Sequence, residues 1–190
     1  MMDFKSLYQQ ITEFIPSTEQ EFADKKIFIS LMEKYPDTIL TRKNPVAHLT
    51  GSGFIFNPRR DKCLMVFHNL YKSWSWSGGH ADGCADLLSV AIREAEEETG
   101  IKNLKPLSEK LISLDVLPVF GHFKNGSYVS THLHLSIAFS LTADDRLPLT
   151  IKPDENSDVA WLPLESIEKY SSEEHMLPIY QKIIKRTKAL

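Results

Sequence analysis

The chain has 190 residues, 42% of them hydrophobic, enough for one domain of ordinary size with an appendage and a buried core. Its 22 basic and 25 acidic residues leave a formal charge of −3, so it has no basic footprint for a nucleic-acid backbone, and binding to duplex nucleic acid is not expected. The start, MMDFKSLYQQ, places charge and amides where a secretory segment needs an apolar run, and no later stretch is long and apolar enough to span a bilayer; the expectation is a soluble, cytoplasmic protein without a membrane partner.

In chain order, Phe4, Leu7, Tyr8, Ile11 and Phe14/Ile15 recur at helical spacing until Pro16 stops the pattern. Ser17, with Gln20 three residues on, is the expected cap of a second helix whose apolar side is Phe22, Phe28, Leu31, Met32 and Tyr35. Residues 1–44 therefore read as a helical extension packed on a main domain of residues 45–190. From about residue 45 the texture changes to strands, with HLTGSGFIF and KCLMVFH forming a hairpin around the polar NPRRD. After a central helix come LISLDVLPVF and, beyond an Asn125-Gly126 turn signal, SYVSTHLHLSIAFSL. Asp158 to Leu162 reads as a short strand, Leu164 to Tyr170 as a short helix, and Leu177 to Lys188 as a closing amphipathic helix. Strands and helices mix without regular alternation, which predicts an α/β protein built as an α/β/α sandwich around a mixed sheet. Cys63 and Cys84 have no metal-ligand spacing and read as unpaired thiols.

The central helix carries the chemistry. In GGHADGCADLLSVAIREAEEETGI, Asp86 is an N-cap, Leu88, Ala91, Ile92 and Ala95 form an apolar side, and Gly100 supplies a left-handed end. Helical geometry puts Glu94, Glu97 and Glu98 on one side within an arc of about 100° and turns Glu96 elsewhere. Like charges at this spacing near a helix C-terminus repel one another and the dipole, and a divalent cation would compensate them; a solvated acidic face is the alternative.

The surrounding pattern resembles the signature of the Nudix family, a glycine, five residues, a glutamate, seven residues, then Arg-Glu-apolar-any-Glu-Glu-any-Gly-apolar. Gly79 opens it, and Arg93, Glu94, Ala95, Glu97, Glu98, Gly100 and Ile101 match its second half in register. The strand pair before it, the approach WSWSGG and an acidic loop leading to Trp161 are also similar to the family. The resemblance implies a Nudix-type fold and a metal-dependent hydrolase cleaving a diphosphate linkage in a nucleoside diphosphate derivative or similar small molecule. It implies Mg²⁺ or Mn²⁺ held by Glu97, Glu98 and the carbonyl of Gly78, Glu94 as a further ligand or base, and Arg93 orienting Glu94. Ala85 stands where the signature has its first glutamate, with Asp82 as a possible substitute, and Ser77 stands where a proline is usual.

Outside the signature, Glu155 in PDENSDVAW is the candidate general base, set against an ordinary turn. Trp74 and Trp76, with Tyr71 and His68, are candidates for stacking on substrate or for core packing. His132 and His134 share one strand face; with His122 they suggest a metal cluster, but the favoured reading is hydrogen-bonded histidines in the core or facing the cleft, with substrate contact open. Two rivals carry the same fold. A non-catalytic nucleotide-binding sensor would lose the acidic residues, which are kept. An isopentenyl diphosphate isomerase would need a cysteine where Gly78 stands, and Cys84 is out of place. A homodimer is left open.

Overall fold

The computed structural model describes residues 2–124 and 126–190. The first helix, α1 (Phe4–Glu13), starts at Asp3, whose side chain accepts from the Ser6 amide. The second, α2 (Glu19–Lys34), is capped by Thr18 rather than the expected Ser17: the Thr18 hydroxyl accepts from the Glu21 amide, and the Glu21 carboxylate accepts in return from the Ser17 amide. Phe22, expected on the apolar side, is 55% exposed, whereas Phe28 and Met32 are fully buried. With Leu7, Ile11 and Ile39 these side chains belong to the same apolar cluster as the sheet.

The strands are β1 (Ala47–Phe56), β2 (Lys62–His68), β3 (Ser73–Ser75), β4 (Ser77–His80), β5 (Lys105–Pro106), β6 (Ser113–Val119), β7 (His122–Lys124), β8 (Ser127–Val129), β9 (His132–Thr142) and β10 (Asn156–Pro163). Between β4 and β5 runs α3 (Leu87–Thr99), and after a 3₁₀ turn at Leu164–Lys169 the chain closes with α4 (Leu177–Thr187). The expected hairpin forms, with β1 and β2 antiparallel. The long run from Ser127 is two strands rather than one, because β8 turns back on β7 while β9 enters the main sheet. Asn125 of the expected turn lies outside the described residues.

The main sheet is mixed, as the irregular element order suggested, and runs β10-β2-β1-β9-β5, with β3 on β2, β4 on β1 and β6 on β9. The strand β1 is its hub. It pairs with β9 in parallel along its whole length, from Ala47 opposite Leu133 to Phe56 opposite Thr142, and on its other edge with β4 and then β2. Because side chains alternate along a strand, the odd residues of β1 and β9 face one core and the even residues the other. Leu49, Ile55, Leu135 and Ile137 pack under α3, with Val90, Ala91 and Ala95. Phe54, Phe56 and Ala138 pack under α4, with Ile179, Tyr180 and Ile183. Leu87 and Val90 are more deeply buried on α3 than the expected Leu88 and Ile92, so the helix is rotated slightly from the anticipated face.

A buried ionic network ties the N-terminal helices to α4. Lys182 donates to Asp115 on β6 at 2.7 Å and pairs with Glu21 on α2 at 3.0 Å, while Arg186 reaches Glu21 at 2.6 Å and the Ser17 hydroxyl at 2.6 Å.

Candidate active site

The helix α3 begins and ends as its sequence dictates. Asp86 accepts from the Ser89 amide, and Gly100 takes φ +70°, a conformation a side chain would strain. The turn before it brings the glycines of β4 against the middle of the helix. A Cβ on Gly79 would run into the Glu94 side chain and push its carboxylate out of place. The Gly78 amide donates to Glu98 at 3.4 Å. Backbone of β4 is thereby held against Glu94 and Glu98 of α3.

The three carboxylates differ in surroundings. Glu97 is half exposed, while Glu94 is held by Arg93, whose guanidinium donates at 2.8 Å. Glu98 is 7% exposed and has no ion pair among the described residues. Burial pushes its carboxyl up to about 8; the Gly78 amide opposes the shift, and the nearby Glu155 and Glu94 add to it. Glu96 points away, towards Lys102 at 3.4 Å.

The loop before β10 closes the site from the side. Asn156 is fully buried and donates to the Glu98 carbonyl at 3.2 Å, which fixes the loop on the helix end. Both the Glu155 and Asn156 amides return to the Lys152 carbonyl, so the turn expected in PDEN is present. Lys152, a residue that sequence reasoning missed, pairs with Glu155 at 2.9 Å and reaches Glu97 at 3.8 Å. Its ammonium is half-buried, but the Glu155 pair and the charges of Glu94 and Glu97 outweigh that burial and raise its pKa. A lysine fifty residues beyond the signature gives no local signal; only an acidic loop next to it did.

Other expected residues lie elsewhere. Trp74 and Trp76 are on the α4 side of the sheet, edge-on to Phe67 at 5.7 Å and to Tyr180 at 5.6 Å, and, partly buried, they pack against the core there. Asp82 is engaged bidentately by Arg42 at 3.0 and 2.7 Å. Ala85, in place of the signature's glutamate, is buried in the α3 core. Cys63 is buried, its thiol pushed up to about 12 by burial, and Cys84 lies beside Ser89, so both remain free thiols.

His132 and His134 share a face, but they are joined there by His48 and His80. The ring centroids of His48 lie 4.9 Å from His80, 4.9 Å from His132 and 5.2 Å from His134. Among the described residues, the buried Nε2 of His134 has no hydrogen-bond partner, nor has that of His48. Burial, with three neighbouring imidazoles, pushes the His134 ring down to about 2, and burial lowers His48 also, so both are neutral.

A family profile described as the NUDIX domain matches residues 47–183. The chain belongs to the Nudix family. Among its curated Nudix relatives, the probable DHNTP pyrophosphohydrolase of Lactococcus lactis subsp. cremoris is 25% identical over 178 residues, covering 93% of this chain and 96% of that one. The RNA pyrophosphohydrolase of Pelagibacter ubique is 31% identical over 123 residues, 62% of this chain and 77% of the relative. Among solved structures, a C. elegans Ap4A hydrolase matches with a TM-score of 0.56 at 16% identity over 75% of this chain and 98% of that one. An E. coli dihydroneopterin triphosphate pyrophosphohydrolase matches with a TM-score of 0.54 at 14% identity, over 75% and 96%. The structural likenesses establish the Nudix fold, with its curled mixed sheet and flanking helices.

Proposed function

We infer that Glu94, Glu97 and Glu98, with the carbonyl of Gly78, hold Mg²⁺ or Mn²⁺ and that Arg93, Lys152 and Glu155 complete the machinery around them. The reaction class follows from the family: the chain is a hydrolase that cleaves a diphosphate linkage. The observation that supports this reading of the site is the excess of carboxylates over cations. Arg93 pairs with Glu94 and reaches Glu97, Lys152 pairs with Glu155 and reaches Glu97, and Glu98 is buried with no ion pair among the described residues. Hard oxygen donors short of positive charge fit a small divalent cation. Bound there, such a cation supplies charge neutralisation for the diphosphate and activation of water at neutral pH.

The protein's own groups then divide the work. Arg93 fixes the Glu94 carboxylate against Gly79, so that its free oxygen faces the glycines. Lys152 supplies a fixed ammonium beside Glu97 and Glu155 that can receive a phosphate oxygen. Glu155, placed by the Asn156 anchor, is the base that accepts the water proton, and its ion pair with Lys152 holds it in position. Such positioning of base and electrophile is itself a large part of catalysis.

The substrate is a nucleotide-like polyphosphate. The relative that matches 93% of the chain, more than the 47–183 segment of the family profile, is named for DHNTP, so a pterin triphosphate is the first compound to try. The test is a panel of dihydroneopterin triphosphate, 5′-triphosphate RNA, ADP-ribose and dinucleoside polyphosphates, with Mg²⁺ or Mn²⁺ and products identified by mass. Hydrolysis of one of them, abolished by chelation, is expected; metal-independent turnover would overturn the metal assignment.

A further inference from the structure

We propose that His48, His80 and His134, with His132 beside them, form a second metal site that takes a borderline transition-metal dication such as Zn²⁺ or Co²⁺, separate from the carboxylate site on α3. The strand register builds it. His48 lies directly opposite His134 across the parallel β1–β9 pair, and His80 enters from β4 beside Thr50, on the same even-numbered face. His132 stands two residues before His134 on that face. Three strands far apart in sequence thus contribute imidazoles to one spot.

The spacing fits coordination. One ligand nitrogen from each of His48, His80 and His134 lies within 4.8 Å of the other two. Ring centroids in the five close pairs of the cluster are 4.9 to 5.2 Å apart. A metal–nitrogen bond of about 2.0–2.1 Å places each imidazole centroid roughly 3.2 Å from the ion, and the corners of a tetrahedron of that radius are about 5 Å apart. Modest ring rotations would bring the nitrogens onto one ion.

The hydrogen bonds fit as well. The His48 Nδ1 is 3.3 Å from the Asn44 carbonyl and the His132 Nδ1 is 2.8 Å from the Ser130 carbonyl. A carbonyl can only accept, so each Nδ1 carries the proton and each Nε2 keeps its lone pair. This is the arrangement by which ligating histidines are oriented, one nitrogen donating to a backbone carbonyl and the other free for metal. Among the described residues, the His48 Nε2 is buried and unpartnered, in a residue only 4% exposed, and the His134 Nε2 is buried and unpartnered too. Lone pairs converging in this way repel an anion and attract a cation, which argues against a phosphate pocket. Imidazole selects Zn²⁺, Co²⁺, Ni²⁺ or Cu²⁺, whereas the carboxylates of α3 suit Mg²⁺ or Mn²⁺, so the two sites discriminate by donor chemistry. An ion on these rings would fasten β4, which carries Gly78 and Gly79, to β1 and β9.

Co²⁺ titration of the full chain, purified without a histidine tag and stripped of metal, tests this. The expected result is one equivalent bound with the visible absorption of tetrahedral, nitrogen-ligated cobalt, displaced by Zn²⁺, and a rise in Tm with either ion. His134→Gln and His48→Gln should each weaken binding about 100-fold or more and abolish the absorption, while Glu97→Gln should leave both unchanged. Because His48 is buried and its variant could fail to fold, the half-buried His80→Gln, checked by circular dichroism, serves as the second test. The assignment is overturned if wild type shows no such absorption, if it persists in folded His80→Gln and His134→Gln, or if it disappears in Glu97→Gln.

Discussion

Glu21 and Glu98 are the same side chain at nearly the same burial, 0% and 7% exposed, yet their carboxyl groups titrate in opposite directions. Burial alone would raise both. At Glu21 it is overcome by two Arg186 contacts at 2.6 and 2.7 Å, the Ser17 amide at 2.9 Å and Lys182 at 3.0 Å, so the pKa falls. At Glu98 burial meets, among the described residues, only the long hydrogen bond from the Gly78 amide on the carboxylate, and further carboxylates stand nearby, so it rises. The network between α2, β6 and α4 contains its own counter-charges, with Asp24 at its rim taking a 2.9 Å bond from the Val116 amide. In the cluster on α3, Arg93 and Lys152 pair with Glu94, Glu97 and Glu155, but among the described residues no cation pairs with the buried Glu98. A buried charge matched within the fold holds elements together, whereas one left short of positive charge marks where a ligand supplies the remainder.

Removing the ligands of the proposed ion gives the largest expected effect. Glu97→Gln and Glu98→Gln should each lower hydrolysis by about 10³-fold or more, because each removes a hard anionic donor. Stability should behave differently: Glu98→Gln deletes a buried charge with no partner, so above pH 8 the metal-free variant should unfold no earlier than wild type. Calorimetry on stripped protein beside the kinetic assay checks both, and near wild-type turnover in either variant would overturn the ligand assignment.

Glu21→Ala is expected to be the reverse, leaving folded protein competent for hydrolysis but costing about 3–5 kcal/mol, because the part-buried Arg186 loses its carboxylate partner and the buried Lys182 loses one of its two. For a chain of this size that is a drop in Tm of roughly 6–20 °C. The pH dependence gives the sign. A carboxyl whose folded pKa lies below its unfolded value stabilises above the unfolded pKa, here near 4.5, and that stabilisation is lost as pH falls through the folded pKa. Urea midpoints of wild type and Glu21→Gln should therefore converge as pH falls below 4.5 and stay apart at neutral pH. A constant gap would mean that shape rather than charge carries the contribution.

Glu155→Gln should cost about 10² in rate while leaving metal affinity nearly unchanged, and Lys152→Ala should raise KM more than it lowers kcat. If Glu155→Gln is fully active, Glu94 becomes the base. These two residues also show how much of the site was legible. The carboxylate arc, the Asp86 cap and the Gly100 end are local, set by spacings of three and four residues, and they stand as read. Glu155 was suggested by its acidic loop, but Lys152 was invisible, since its approach to Glu97 depends on how β10 docks. The histidine cluster was half visible: His132 and His134 sit two apart, whereas His48 and His80 join them through strand pairings that span 86 and 30 residues of sequence (134 less 48, and 80 less 50). Register between distant strands is set by the whole sheet, not by any short segment.

The smallest expected effect concerns the second helix, where both Ser17 and Thr18 have cap chemistry and only the fold decides between them. Ser17 is drawn to Arg186, 169 residues away in sequence, at 2.6 Å, which leaves Thr18 in the extended conformation with its hydroxyl on the Glu21 amide at 3.2 Å. Thr18→Ala should therefore lose about 1 kcal/mol, seen as a Tm lower by roughly 2–4 °C, with hydrolysis unchanged because α2 contributes nothing to the carboxylate site. Thr18→Ser should restore most of the loss, since serine offers the same acceptor. Ser17→Ala removes the Arg186 contact but keeps the cap, so the two variants separate in native-state hydrogen exchange rather than in stability alone. Protection of the Glu21 amide should fall in Thr18→Ala and hold in Ser17→Ala. The opposite pattern would return the cap to Ser17 and move the start of α2 back by one residue.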